Sequence, residues 1–299
     1  GSLLAYRSVA ARERSPERLH LDRRKLAQCP RLEGEERLRL LNYQSNRIGR
    51  IDNLVCLPNL VFLDLYDNRV RQIENLESVR SLRVLMLGKN LVARIENLDG
   101  LARLDVLDLH SNRIAEVENL RHLRELRVLN LAGNHLRELR SLDGLASLTE
   151  LNLRRNGLTS AAGLEVLGRL QRLFASHNRI ASAEALEALG RLGELAELTL
   201  DGNPLCERLD YRANVTAICT RLELLDGMQV TRGTAARPAS RAQSAASSRP
   251  STASRQSNAS RPSSAGVPTR PPPSWQQLPA YAQGAAAALP PSRELSGSP

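Results

Sequence analysis

Leu60-Val61-Phe62-Leu63-Asp64-Leu65-Tyr66-Asp67-Asn68 ends in an asparagine whose counterparts along the chain are Asn46, Asn90, Asn112, Asn134, Asn156, Asn178 and Asn203. The steps between them are 22 residues, except the last, which is 25. A period of this size marks a stack of like units, none of which can bury its own apolar side alone. Leu63 and Leu65 alternate and so point to one side of a short strand. Val70, Ile73, Leu76 and Val79 bring the chain back along the far side and turn inward again.

The inward columns are well kept: Leu41/Tyr43, Leu63/Leu65, Leu85/Leu87, Leu107/Leu109, Leu129/Leu131, Leu151/Leu153, Leu173/Ala175 and Leu198/Leu200. Each buried leucine contributes roughly 1.5–3 kcal/mol before entropy is counted. An asparagine amide both donates and accepts, so where the strand turns away it satisfies backbone groups of its own turn and of the next coil. The return segment reads Ile-Glu-Asn-Leu at Ile73–Leu76 and Ile95–Leu98, with variants at Ile51–Leu54 and Val117–Leu120. Twenty-two residues leave room on the outer side for a turn or a short 3₁₀ segment, not a long helix.

Hydrophobic residues make up 41% of the chain and aromatics only 3%, so the packing is aliphatic. The net charge is +10 over 299 residues. From Arg232 onward there are eight arginines, no lysine and one acid, Glu294, giving 8 − 1 = +7 and leaving 10 − 7 = +3 for the remainder. Cys29, Cys56, Cys206 and Cys219 include no Cys-x-x-Cys pair, which predicts reduced thiols in an intracellular protein. No stretch is long and apolar enough to span a membrane, and no secretory signal is visible. The chain begins Gly1-Ser2 and not Met, the mark of a fragment or a cloning remnant, so a targeting segment upstream stays open.

In order, residues 1–16 are arginine-rich without apolar period and read as disordered. Residues 17–37 form a degenerate first coil that caps the stack, with Leu19 and Leu21 in the strand positions and Arg24 in the asparagine place. The repeats run over 38–203. Ala161, Ala175 and Ala183 stand at inward positions of the seventh unit and predict a thinner core there; the alanine-rich 185–195 stretch of the eighth predicts one or two helical turns. Residues 204–231 read as a C-terminal cap, in which Val215, Ile218 and Leu222 share a helical face and Gly227 suits a turn. Residues 232–299 are rich in Ser, Ala, Pro and Arg, and read as a disordered tail. Its phrases Arg237-Pro238, Arg249-Pro250 and Arg261-Pro262 precede serines, so phosphorylation would regulate contacts with acidic partners.

Function falls to the face of the sheet turned away from the core. The row six before each asparagine places Leu40, Phe62, Val84, Val106 and Val128 side by side, beside Asp64, Tyr66, Met86, Asp108, His110, Arg154 and Phe174. Two readings of the apolar row stand: flanking residues cover it, or it is an exposed ridge for a protein partner. His110, between Gly88 and Ala132, reads as a residue of a binding face before a ligand or general base. Asp64 and Asp108 are two strands apart, about 10 Å, and read as a polar row before an acid–base pair. No phosphate loop, zinc-ligand spacing or nucleophile motif is present, so no catalytic residue, cofactor or metal is expected. Arginines are sparse on these rows, with Arg154, Arg155 and Arg172 near one another, so nucleic acid is not expected either.

The repeat wording resembles the 22-residue subclass of intracellular leucine-rich repeats, and the phrase from Tyr211 to Thr231 resembles the C-terminal cap of that family. The resemblance implies a right-handed α/β solenoid, a horseshoe with a concave parallel β-sheet and a short 3₁₀ or turn convex side. At the level of whole phrases, Arg18–Arg24, Leu38–Asn42, Phe62–Asn68, Leu104–His110 and Leu126–Ala132 are similar to the leucine-rich-repeat subunits of tubulin polyglutamylase complexes. That resemblance implies a non-catalytic scaffold, monomeric within a hetero-oligomer, whose partners are polyglutamylase subunits and tubulin or microtubules. It places the protein in the cytoplasm, at the cytoskeleton, the centrosome or the ciliary base. The alternatives are a ciliary factor for axonemal dynein assembly or docking and a phosphatase-regulator-like adaptor.

Overall fold

The computed structural model describes residues 7–231. The expectations for residues 1–6 and for the tail, 232–299, lie outside them. The described residues form one sheet with strands in chain order: β1 (Arg18–His20), β2 (Leu40–Asn42), β3 (Phe62–Asp64), β4 (Val84–Met86), β5 (Val106–Asp108), β6 (Val128–Asn130), β7 (Glu150–Asn152), β8 (Arg172–Phe174), β9 (Glu197–Thr199), β10 (Leu224–Leu225) and β11 (Met228–Gln229). All pairs are parallel except β10–β11. Each register step joins equivalent residues of successive repeats, as Phe62↔Val84↔Val106↔Val128. The chain is thus a parallel-sheet solenoid of leucine-rich repeats.

One apolar core runs through the whole stack, and every inward strand residue named above is buried in it. On the side away from the sheet the leucines repeat every three residues. Leu76, Val79 and Leu82 are linked by Val79 N→Leu76 O (3.1 Å) and Leu82 N→Val79 O (3.0 Å), and the same pair of turns recurs in neighbouring coils. A three-residue turn brings every third side chain to the same side, so all three enter the core. The eighth unit's extra residues form the 3₁₀ segment Glu184–Arg191, with Leu186 and Leu189 inward.

Two asparagine ladders tie the coils together. In the first, Asn68 Nδ2 donates to Leu65 O of its own turn (3.1 Å) and Tyr43 O (3.0 Å), while its Oδ1 accepts from Ile48 N (3.0 Å). The coil bridged is the preceding one, not the following one, because the side chain leans back across the stack. The second ladder uses the asparagine of the Ile-Glu-Asn-Leu phrase. Asn53, Asn75, Asn97 and Asn119 have φ of 58–59° and donate to Cys29 O, Ile51 O, Ile73 O and Ile95 O at 2.6–2.7 Å. Asparagine tolerates the left-handed region better than other side chains. Ser141 and Gly163 follow at the same spacing with positive φ but no amide, and at Gly163 a Cβ would sit 2.3 Å from Leu139 O.

Two further expectations need correction. Residues 9–14 are a helix, α1 (Val9–Arg14), where the sequence reads as disordered; Ser8 caps it. Arg7 forms an ion pair with the buried carboxylate of Glu35, and Arg12 Nε lies 3.3 Å from the same group. Ala183 is only half-buried, because it leads into the Glu184–Arg191 segment instead of pointing inward. Ala161 and Ala175 do point inward, and with Leu173, Ile180 and their neighbours they border an apolar void of about 10 Å³.

The C-terminal cap consists of the 3₁₀ segment Pro204–Glu207, α2 (Tyr211–Ile218) and the β10–β11 hairpin. Val215, Leu222 and Leu225 close the core, while Ile218 is only partly buried. Asp226 and Gly227, both at positive φ, make the hairpin turn. Asp226 also accepts from Leu200 N (2.7 Å) and Asp201 N (3.1 Å), and Tyr211 donates to it at 2.7 Å. Backbone donors that another coil would have met are satisfied by this carboxylate. All four cysteines are free thiols, and burial pushes Cys29 and Cys219 up to about 11.

Candidate partner-binding face

Because the even-numbered neighbours of the inward leucines face away from the core, β2–β9 present three parallel rows of side chains on the outer face. The apolar row is not an exposed ridge. Leu40, Phe62, Val84, Val106 and Val128 are 9, 8, 2, 2 and 3% exposed. The reason is the register. Equivalent residues on adjacent strands sit about 4.8 Å apart, so each side chain shields the next. Asp64, Met86, Asp108 and Phe174 are buried in the same way. Tyr66, His110 and Arg154 remain half-exposed and carry the accessible surface of the face. The strongly exposed large apolar residues, Val55, Val166, Leu209 and Met228, lie off these rows.

The first accessible group is built over Gly88. A Cβ there would meet His110 Cε1 at 2.4 Å and Tyr66 Cδ2 at 3.2 Å, so only glycine lets the two rings meet across β4. They do, with centroids 5.6 Å apart and planes tilted by 36°. Lys89 Nζ sits 5.1 Å from the Tyr66 ring centroid. Below them, His110 Nδ1 lies 2.7 Å from Asp108 Oδ1, which also accepts from His110 N at 3.0 Å. The second accessible group is Arg154, whose guanidinium lies 4.6 Å from the Phe174 ring centroid, a stacked cation–π arrangement.

The middle row holds a polar line that sequence reading passed over. Asn130 and Asn152 each spend their carbonyl on the backbone N–H two residues on, at 3.2 Å, as Asp64 and Asp108 do at 2.9 and 3.0 Å. Their remaining atoms, Asp108 Oδ2, Asn130 Nδ2 and Asn152 Nδ2, are buried without a partner in the chain. They stand on three successive strands, β5 to β7. The signal was available: all three fall at the same offset from the ladder asparagines.

Burial pushes the Asp64 carboxyl up to about 6; Tyr66 N–H works against this, and Asp108 and Asp22 add to it. Glu150 is also pushed up by burial, although its ion pair with Arg172 opposes the shift. Burial pulls Arg154 down. Among the described residues, no group of His, Cys, Asp and Glu is arranged to hold a metal, and no helix is long and apolar enough to cross a membrane. What the face offers is a rigid surface of stacked rings, an arginine and unsatisfied buried polar atoms.

A family model described as leucine-rich repeat matches residues 106–249, and one described as leucine-rich repeats in two copies matches residues 36–78. Leucine-rich repeat-containing protein 49 of Homo sapiens is 54% identical over 50 residues, which is 17% of this chain and 7% of that protein. The Mus musculus protein of the same name is 54% identical over 46 residues, 15% of this chain and 7% of its own. The matched segment is thus a small part of those relatives. Among solved structures, an internalin of Listeria monocytogenes superimposes with TM-score 0.60 at 23% identity, covering 70% of this chain and 60% of that one. Internalin C2 of the same organism gives 0.56 at 26%, covering 64% and 80%. A leucine-rich-repeat protein of Leptospira interrogans gives 0.57 at 24%, covering 70% and 54%. Those under 25% identity speak to the fold alone.

Proposed function

We infer from this chain's membership of the leucine-rich-repeat proteins that it is a scaffold that binds another protein through the outer face of its sheet. The observation that carries the reading is the pair of accessible groups built on that face, the Tyr66 and His110 rings meeting over Gly88 and the Arg154 guanidinium stacked on Phe174. Tyr66 and Arg154 are of the residue types favoured at interface centres. The fold is one that serves protein interaction, and we propose that the chain itself carries out no catalysis.

The finer proposal is that this scaffold belongs to a tubulin polyglutamylase complex, as a monomer among unlike subunits, and contacts microtubules. It is supported by the phrase-level similarity over Arg18–Ala132 and by the 54%-identical segment shared with leucine-rich repeat-containing protein 49. The corresponding location is the cytoskeleton, at microtubules, the centrosome or the ciliary base. The test is native affinity purification of the tagged chain, with mass spectrometry and a tubulin glutamylation assay on the eluate. Co-purified glutamylase activity that is lost on Tyr66→Ala with Arg154→Ala supports the proposal. Both side chains are half-exposed, so the fold tolerates the change. Recovery of dynein-assembly factors without glutamylase would replace the finer proposal with the ciliary alternative. Unchanged recovery by the double variant would remove this face from the reading.

A further inference from the structure

The side chains on either side of the asparagine ladder have a charge pattern that the scaffold reading does not use. Immediately after the asparagines come Arg47, Arg69, Arg113 and Arg179; immediately before them come Lys89 and Arg155, and Arg23 holds the same place before Arg24 of the capping coil. All are exposed, and among the described residues none forms an ion pair. Across the same two rows from Arg23 to Arg179 the only acid is Asp67, which accepts from Ser45 Oγ at 2.9 Å. Elsewhere on the solenoid several arginines are matched. On the upstream flank Arg39 meets Glu17, Arg83 meets Glu125 and Arg127 meets Asp105. On the far side Arg50 meets Glu74 and Arg94 meets Glu118.

The backbone beneath these side chains is rigid. Arg47 N, Arg69 N, Arg113 N and Arg179 N donate to the coil before, at 2.8–2.9 Å, while Arg23 N, Lys89 N and Arg155 N donate to the coil after, also at 2.8–2.9 Å. The cations are therefore displayed along the stack at steps of one strand spacing, ~4.8 Å, with one gap at the coil of Asn134, where Gly133 and His135 take the two places. Arg23, Lys89 and Arg155 also stand at φ of 56, 52 and 54°, where glycine, as at Gly133, is the unstrained choice. Long basic side chains occupy strained positions that need no side chain for folding.

We propose that this downstream flank is a docking surface for an extended, carboxylate-rich segment of a protein partner. Charge complementarity selects the partner's sign. The two rows hold no Phe, Tyr or Trp, the larger rings on which bases stack, and their two imidazoles, His135 and His177, stand two coils apart, which favours a polypeptide over a nucleic acid. The proposal rests on the scaffold reading in taking the partner to be a protein, and it names a second contact surface beside the outer face.

The test uses the full chain, so that the basic tail contributes equally to every sample. The probe is a labelled oligoglutamate of roughly ten residues, whose extended length of about 34 Å matches the row from Arg23 to Arg179. Binding is read by fluorescence anisotropy at about 0.1 M salt, where the screening length is about 10 Å. The variant Arg47→Glu/Arg69→Glu/Arg113→Glu is compared with Arg37→Glu/Arg124→Glu/Arg169→Glu, which changes net charge equally at exposed positions outside the two rows. The expected result is about tenfold weaker binding or worse for the first and less than about twofold for the second. Equal weakening by both, or none by the first, overturns the proposal. So does tighter binding of an oligouridylate through the same arginines, which would make the surface a phosphate reader. Because chain and probe are both defined, failure here leaves the co-purification result for the outer face standing or falling by itself.

Discussion

The coils around β3–β6 and those around β7–β9 obey the same 22-residue rhythm but are built to different tolerances. In the earlier group leucine fills both inward strand positions, the second asparagine ladder holds through Asn75, Asn97 and Asn119 and ends at Ser141, and the outer apolar row is continuous. In the later group Ala161 and Ala175 replace larger residues, Gly163 stands in the ladder position, and Glu150 and Arg172 interrupt the apolar row. A repeat protein's stability is close to a sum of unit and interface contributions. The difference therefore predicts a graded molecule, with the first group opening last and the region around the void opening first. The later coils carry the Arg154–Phe174 stack and one of the three members of the unsatisfied polar line, Asn152, so looser packing coincides with surface chemistry.

The sharpest way to break this contrast is Asn112→Leu against Asn156→Leu. Asn112 is buried and serves Val92 N, Leu87 O and Leu109 O. Losing it leaves those groups unpaired at about 1–3 kcal/mol each, so the expected loss is about 3–6 kcal/mol. Asn156 makes the same bonds but is half-exposed, and water replaces part of what is lost. Hydrogen exchange should show protection falling further for the first variant; equal losses would remove the gradient.

Next in size is Asp64→Asn against Glu150→Gln. Asp64 has its folded pKa raised from 3.8 to about 6. The native state then binds the extra proton between those values, so stability from this group is full below about pH 4 and lost as pH rises through 6. Asp64→Asn should stabilise the protein by about 2 kcal/mol at pH 7 and by little at pH 4, because one pKa unit corresponds to 1.36 kcal/mol. Glu150 is pushed up too, but its Arg172 partner offsets part of the burial, so Glu150→Gln should gain less. Urea midpoints measured across pH decide it. A gain at pH 7 combined with weaker partner capture would show a carboxylate retained for binding at the expense of stability.

Period and alternation were enough to read the strands, the inward strand columns and the helical insertion after Ala183. These depend on residues close in sequence or exactly one repeat apart. Exposure on the outer face was not readable from alternation. Val106 is hidden by Val84 and Val128, and that shielding depends on strand spacing rather than on residue type. The helix at Val9–Arg14 was missed because its anchor, Glu35, lies across the capping coil and has no apolar signature. The Ile-Glu-Asn-Leu phrase was plain in sequence, but its asparagine's role needed the backbone: a positive φ and a carbonyl 24 residues back. Asn97→Ala should accordingly cost about 1–2 kcal/mol, and Ser141→Asn, which restores the missing rung, should gain about 0.5–1 kcal/mol.

The smallest expected effect tests the void directly. Ala175→Val adds two methyl-sized groups beside a cavity of about 10 Å³ bordered by Leu153, Leu173 and Ile180. Apolar burial is worth about 0.8 kcal/mol per methylene, and some of that is spent on fitting the new shape. A net gain of about 0.5–1 kcal/mol is expected, read as a higher urea midpoint at unchanged slope. Val92→Leu makes a comparable enlargement in the tightly packed earlier coils, where Val92 is fully buried. There the added group has no space and should cost about 1–3 kcal/mol. Opposite signs from the two enlargements would locate slack in the seventh unit and not in the repeat as such. If both destabilise, the alanines of that unit fit their neighbours as closely as the leucines do elsewhere, and the graded picture gives way to a uniform one.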